Sequence, residues 1–192
     1  MRCAGQPGAV LALLIICGCG SPGTSATPTP SAAAMRVLAS SAVPGLTFVT
    51  IVLTAATLSK DASLPQLPSD LRSWGYLDGR ERTFQGESRQ LTLVISRSMI
   101  FKDAAGARDF VAFVQANYVA YFGAATTSRP LVAQGRSGWL FTPPPCACHL
   151  ANPAFIGVLV AASSVVWLEI NGPDATPALL VKLLDPTLSV RS

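Results

Sequence analysis

The chain has 192 residues, of which 50% are apolar and only 12% are charged. Together with a mean hydropathy of +0.44, this composition excludes a disordered, charge-rich protein and argues against a coiled coil. The formal charge of +4 comes from arginines scattered along the chain without a basic run, so nothing favours nucleic-acid binding. Five cysteines and a single histidine leave few groups for catalysis.

Residues 1 to 18 have the pattern of a secretory signal peptide. Arg2 supplies a positive start, and an apolar run occupies residues 9 to 16. That run is too short to cross a bilayer as a helix, which needs about 20 residues. We therefore expect this segment to direct export and to be removed.

The end of the signal peptide, Ile16-Cys17-Gly18-Cys19, resembles the lipobox of bacterial lipoproteins. In that motif an aliphatic residue lies three positions before a cysteine, and a small residue lies directly before it. The resemblance implies cleavage after Gly18 and acyl chains such as palmitate on Cys19, which would form a durable membrane anchor. Two alternatives remain: lipidation of Cys17, with the bulky Ile16 at the small position, and a plain secretory signal. The richness in Ala, Gly, Pro and Arg is similar to that of actinobacterial lipoproteins.

Residues 19 to 43 are predicted to be the lipidated cysteine and a tether. Residues 20 to 34 carry no charge and no large apolar side chain, so they cannot form a core. The glycines at 18, 20 and 23 match the dinucleotide-binding spacing, but that fingerprint requires a preceding strand and a following helix. Met35 is an alternative start, although the series of signal, lipobox and tether favours Met1.

Residues 44 to 192 are predicted to form a single extracytoplasmic domain, and its elements follow in chain order. Residues 46 to 57 are rich in β-branched side chains, which is typical of a buried strand, with a short helix as the alternative. A short helix with Pro68 near its start and Gly75 as its stop comes next. Residues 76 to 85 and 91 to 101 are predicted strands, and the second alternates apolar side chains with Arg97 as the single interruption.

Asp103 is a good N-cap for a long helix over residues 104 to 122, whose apolar residues recur at three- and four-residue spacing. Three further strands and a last helix, capped by Thr176, are predicted; the strands cover residues 137 to 142, 154 to 161 and 164 to 170. This order predicts an α+β fold: a mostly antiparallel sheet with the long helix and the C-terminal helix packed on one face.

The densest group of reactive side chains is Cys146, Cys148 and His149, which follow three prolines. In an oxidising compartment the two cysteines could form a strained disulfide. A second interpretation is a Cu(I) or Zn(II) site that uses both thiolates and the imidazole. The third is two free thiols or an intermolecular bridge.

Other polar candidates are weaker. Glu169 lies in an apolar strand, where burial would raise its pKa, although a position on the solvent face beside Trp167 is the ordinary interpretation. Arg80, Arg82 and Arg97 could line one sheet surface as an anion patch. A serine or cysteine hydrolase would need His149 as its base, and no Gly-x-Ser-x-Gly motif occurs.

The sequence therefore predicts a protein held at the outer side of the cell membrane by its lipid anchor. Its domain is expected to bind an unknown envelope ligand or protein without being an enzyme and without a cofactor. A pocket between the long helix and the sheet would favour this hypothesis. The alternative is a copper- or zinc-binding or redox protein centred on Cys146, Cys148 and His149.

Overall fold

The computed structural model describes residues 31–62, 64–86, 90–145 and 152–189. Within them lie seven strands and six helices. The strands are β1 (Thr47–Val52), β2 (Tyr76–Gln85), β3 (Leu93–Phe101), β4 (Thr127–Ala133), β5 (Arg136–Thr142), β6 (Ala154–Ala161) and β7 (Ser164–Asn171). The helices are α1 (Ala32–Met35), α2 (Ala55–Ala62), α3 (Leu67–Ser73), α4 (Ala104–Ala116), α5 (Tyr118–Phe122) and α6 (Pro177–Leu188). None of the helices in these ranges is long and apolar enough to cross a bilayer.

All seven strands belong to one sheet with the order β1-β2-β3-β7-β6-β5-β4. Every neighbouring pair is antiparallel, which confirms the predicted α+β fold with an antiparallel sheet. β7 lies at the centre between β3 and β6, and β1 and β4 form the two edges. The predicted hairpin of β6 and β7 is confirmed, with Ala161 paired to Ser164 across the turn.

The two main helices lie on opposite faces of this sheet. In β7, Val166 and Leu168 pack in the cluster that contains the buried leucines of α6, whereas Val165 and Trp167 pack with α4. The expectation that both helices share one face is therefore wrong. Because β7 is apolar at successive positions, both of its faces need a cover, as is typical of a fully buried strand.

Helix α4 begins as expected but ends early. The carboxylate of Asp103 accepts hydrogen bonds from the backbone N–H groups of Ala105 (2.9 Å) and Gly106 (3.0 Å), as an N-cap does. The helix stops at Asn117, whose side-chain amide donates to the carbonyl of Phe113 at 2.9 Å. The single helix predicted for residues 104 to 122 is therefore two consecutive helices, α4 and α5.

The segment before β1 is part of the folded domain. Leu38 and Val43 are buried in the core on the α6 face, and the N–H of Leu38 donates to the hydroxyl of the buried Ser96 at 2.9 Å. The folded domain therefore begins before residue 44, where the sequence placed its boundary. The composition of residues 31 to 43 does not reveal these contacts, so the sequence assigned the segment to the tether.

The two edge strands depart most from the predictions. All six residues of β1 are exposed, so the strand predicted to be buried lies at the border of the sheet. β4 was not predicted, because Pro130 and neighbouring polar residues obscure its pattern. An edge strand tolerates proline, since one side of its backbone has no strand partner.

Candidate functional site

A cavity of about 290 Å³ lies between α5 and the sheet, on the face that α4 covers. Its volume is near the lower end of the range of about 300–1,000 Å³ that is typical of small-molecule pockets. The lining combines aromatic and aliphatic side chains with a few polar groups. The lining residues are Arg97, Tyr121, Phe122, Pro143, Pro144, Asn152, Ala154, Ile156, Trp167, Glu169 and Asn171.

Arg97 and Trp167 form the centre of the cavity floor. They are direct partners in the pairing of β3 with β7, so their side chains project from the same face. The guanidinium carbon of Arg97 lies 5.2 Å from the centre of the Trp167 ring, within the range of a cation–π interaction. The Nε of Arg97 is 2.5 Å from Glu81, and both side chains are only 12% exposed. This charge pairing and stacking hold the guanidinium in one position.

Tyr121 and Phe122 of α5 form an aromatic wall above this floor. Their ring centres lie 6.0 and 5.6 Å from that of Trp167, and Phe122 is also 5.0 Å from Phe141 on β5. Separations of this size are typical of favourable aromatic pairs. The wall is therefore fixed to the sheet through several ring contacts.

The indole N–H of Trp167 is buried and has no hydrogen-bond acceptor among the described residues. A buried donor without an acceptor costs about 1–3 kcal/mol. Such a group beside a cavity can gain an acceptor when a polar ligand binds and the neighbouring side chains adjust. The N–H group itself is closed off from solvent, so a ligand in the cavity reaches it only if neighbouring side chains move.

The rim of the cavity is polar. Asn152, Glu169 and Asn171 contribute amide and carboxylate groups, and the Oδ1 of Asn171 accepts from the hydroxyl of Thr92 at 3.0 Å. Glu169 is the one carboxylate among the described lining residues, which include no histidine, cysteine, serine or lysine.

The sequence-predicted reactive residues cannot be placed in this site. Cys19, Cys146, Cys148 and His149 all lie outside the described residues. The described part of the chain contains no group of three metal-ligating side chains. The chain on either side of residues 146–151 does border the cavity, through Pro143 and Pro144 before it and Asn152 after it.

The proposed arginine patch does not form. Arg82 is the register partner of Ser96, whereas Arg97 is the partner of Glu81, so Arg82 and Arg97 project from opposite faces. Each is also engaged: Arg82 donates to the carbonyl of Leu38 at 2.6 Å, and Arg97 pairs with Glu81. The patch hypothesis is therefore wrong, because alternate strand positions point to opposite faces.

Glu169 and Arg97 show which sequence signals led to the site. Glu169 lies on the same face as Trp167, and both border the cavity. This face is covered by helices, and Trp167 is buried in it, so the expected position of Glu169 on a solvent face is wrong. Arg97 is a cavity residue. The sequence had marked it as the single charge on an apolar strand face and as a member of the anion patch, but not as part of a pocket. Tyr121 and Phe122 were expected simply as part of the apolar face of a helix, and no local signal distinguished them.

No protein-family model matches the chain, and no curated protein matches it. Among solved structures, the chain is similar to the extracellular domain of PknH from Mycobacterium tuberculosis. The two share 15% sequence identity at a TM-score of 0.36, and the match covers 73% of this chain and 82% of that one. A likeness this weak supports no conclusion about the fold, location or ligand of this chain.

Proposed function

We propose that this chain is a lipid-anchored protein on the outer side of the cell membrane, and that its domain binds a small molecule in the α5 cavity without transforming it. The observation that carries this proposal is the cavity itself, with an aromatic wall over a floor made by Arg97 and Trp167. The anchor rests on the lipobox resemblance at Cys19.

The charges around the cavity indicate what kind of ligand it takes. Arg97 is already paired with Glu81, and Glu169 adds a second carboxylate close by. One cation between two carboxylates gives no net attraction for an anion. The site therefore favours neutral or cationic ligands over anionic ones.

The side chains of the wall and rim indicate the shape of the ligand. Tyr121, Phe122 and Trp167 offer ring surfaces, which favour a ligand with a flat apolar face. Asn152 offers hydrogen bonds that would orient polar substituents. A compact ring compound with hydrogen-bonding groups fits both features.

A library of small ring compounds in matched neutral, cationic and anionic forms, screened by ligand-observed NMR against the full chain, tests this proposal. Neutral and cationic members should bind, and titration should change the tryptophan fluorescence. Ala154→Phe should abolish binding, because Ala154 lines the cavity and a phenyl ring there would fill it. Ala178→Phe on α6 is the matched control, because Ala178 is exposed and borders a separate cavity on the opposite side of the sheet. It should leave binding unchanged.

Two results would contradict the proposal. The first is a preference for the anionic compounds, which would mean that Arg97 is available to them despite its pairing with Glu81. The second is binding that survives in Ala154→Phe, which would place the ligand elsewhere on the protein.

A further inference from the structure

The edge strand β1 has the composition of a buried strand but lies exposed. Its six residues, Thr-Phe-Val-Thr-Ile-Val, carry no charge, proline or glycine. Its four large apolar side chains are each 43% to 56% exposed, and they point to both faces of the sheet in turn. An exposed apolar edge of this kind is a template for pairing with another strand.

The hydrogen bonds of β1 show which backbone groups face outward. The N–H of Leu53, directly after β1, donates to the carbonyl of Gly79 at 2.9 Å. In an antiparallel ladder, residues on one strand alternate between facing the partner and facing away from it. Counting back from Leu53 in the register of β1 with β2, the N–H and C=O groups of Phe48, Thr50 and Val52 face the open side of the sheet.

The other edge of the sheet is protected against such pairing. β4 carries Pro130 in its middle, next to the exposed Arg129. Proline removes a backbone donor, and an exposed charge disfavours the approach of an apolar strand. The contrast between the two edges of one sheet indicates that the open apolar edge is specific to β1.

We propose that β1 pairs with β1 of a second copy of this chain, in an antiparallel arrangement with a two-fold axis at Thr50. In this register Thr50 faces Thr50 of the other copy, and Phe48 faces Val52, so the outward N–H and C=O groups of all three residues are satisfied reciprocally. Val49 then lies opposite Ile51. The two sheets become one continuous sheet across the axis.

The second copy is the favoured occupant because the strand complements itself in backbone hydrogen bonding and in apolar side chains. Its outward hydrogen-bonding groups are symmetric about Thr50, and its exposed side chains form aromatic–aliphatic and aliphatic pairs of the kind that stabilise sheets. β1 itself has no charge. The charges nearest the axis are the two Arg82 side chains, each bonded to the hydroxyl of its own Thr50 at 2.9 Å and to the carbonyl of Leu38 at 2.6 Å. Closed two-fold symmetry also matches the commonest form of protein dimer.

Sedimentation velocity of the full chain at several protein concentrations tests the proposal. Thr50→Pro removes a donor that faces outward and leaves the backbone bonds between β1 and β2 intact, although it also removes the bond from Arg82 to the Thr50 hydroxyl. It should weaken dimerisation at least tenfold. Val49→Lys should do the same by placing a charge on the pairing strand. Val132→Lys is the matched control, because Val132 is 67% exposed on the opposite edge strand, and it should leave the dimer unchanged.

Disulfide trapping tests the register. Facing residues of a hydrogen-bonded antiparallel pair have Cα atoms about 5.5 Å apart, within the range of about 4.4–6.8 Å that a disulfide spans. Thr50→Cys should therefore yield a covalent dimer on mild oxidation. Val52→Cys should not, because two such residues would lie more than roughly 13 Å apart along the paired strands. The wild-type chain under the same oxidation controls for its own cysteines.

A chain that stays monomeric over the whole concentration range would overturn the proposal, and so would a dimer that both Thr50→Pro and Val49→Lys leave intact. Equal trapping of Thr50→Cys and Val52→Cys would overturn the two-fold axis at Thr50. A monomer that binds zwitterionic phosphatidylcholine vesicles, and loses that binding in Val49→Lys, would assign the edge to the lipid surface instead.

Discussion

Replacing Gly106 by alanine should destabilise the domain, although alanine is the better helix former. Gly106 lies buried in the first turn of α4, directly against the backbone before β2. A Cβ atom at this position would lie 1.8 Å from the carbonyl oxygen of Trp74. An ordinary carbon–oxygen contact is about 3.3 Å or longer, so one of the two backbones would have to move by about 1.5 Å.

The backbone at Trp74 is poorly able to move. The N–H of Trp74 donates to Asp70 at 2.9 Å, and the carbonyl of the next residue, Gly75, accepts from Lys102 at 2.8 Å. Overpacking usually lowers the free energy of unfolding by about 1–3 kcal/mol. A clash with a backbone that hydrogen bonds hold in place should cost an amount at the upper end of this range. Alanine gains about 1 kcal/mol in helix propensity, so we expect a net loss of about 2 kcal/mol.

Denaturant unfolding of the full chain measures this loss directly. Ala112→Gly provides the control, because Ala112 is exposed in the middle of the same helix and should show the propensity effect alone, about 1 kcal/mol of destabilisation. If Gly106→Ala proved as stable as the wild type or more so, the steric argument would fail and propensity would be the dominant effect.

Four further results are expected. Phe110→Ala should lower the free energy of unfolding by about 3–5 kcal/mol, because Phe110 is 1% exposed in the α4 core. Arg108 is exposed, so Arg108→Ala should change the free energy of unfolding by less than about 0.5 kcal/mol. Equal losses would contradict the assignment of buried and exposed faces of α4. Hydrogen bonds from the backbone N–H of Gly106 and then of Ala105 lower the pKa of Asp103. The ionised carboxylate of Asp103 therefore stabilises the fold above about pH 4, the ordinary pKa of Asp. This stabilisation is lost as the pH falls through the lowered pKa of Asp103 in the folded state. Asp103→Asn should remove this part of the acid dependence, and identical pH profiles of unfolding would refute it. Cys19→Ser should release the protein from the membrane fraction or leave it unprocessed, and incorporation of labelled fatty acid into this variant would place the anchor elsewhere. The reduced wild type should retain no copper or zinc after dialysis against a weak chelator; metal retained by it and lost in His149→Ala would favour the metal-binding alternative.

Local sequence patterns predicted much of the secondary structure because their causes lie within a few residues. The caps at Asp103 and Thr176 satisfy N–H groups two or three positions ahead, and the hairpin of β6 and β7 is set by two apolar runs around a short turn. The end of α4 was missed, because a side-chain bond from Asn117 to its own helix competes with an apolar pattern that continues through α5.

The candidate site was predicted only in fragments. Its floor unites Arg97 of β3 with Trp167 of β7, and its wall comes from α5, so three distant parts of the chain must meet before the cavity exists. The sequence marked Arg97 as an interruption and Glu169 as an unusual acid, but nothing local indicated that they border the same space. The conserved spacing of a catalytic or metal motif would have been needed to connect them from sequence alone.

The sequence by itself determined the class of the fold, the antiparallel sheet and the positions of its main helices, since these follow from periodicity, capping and turn residues. Only the tertiary structure decided which face each helix covers, because a strand such as β7 that is apolar on both sides accepts a helix on either. It also decided that β1 lies at the edge of the sheet. The β-branched composition of β1 favours a strand wherever it lies, whereas its burial depends on whether a neighbour is present on each side.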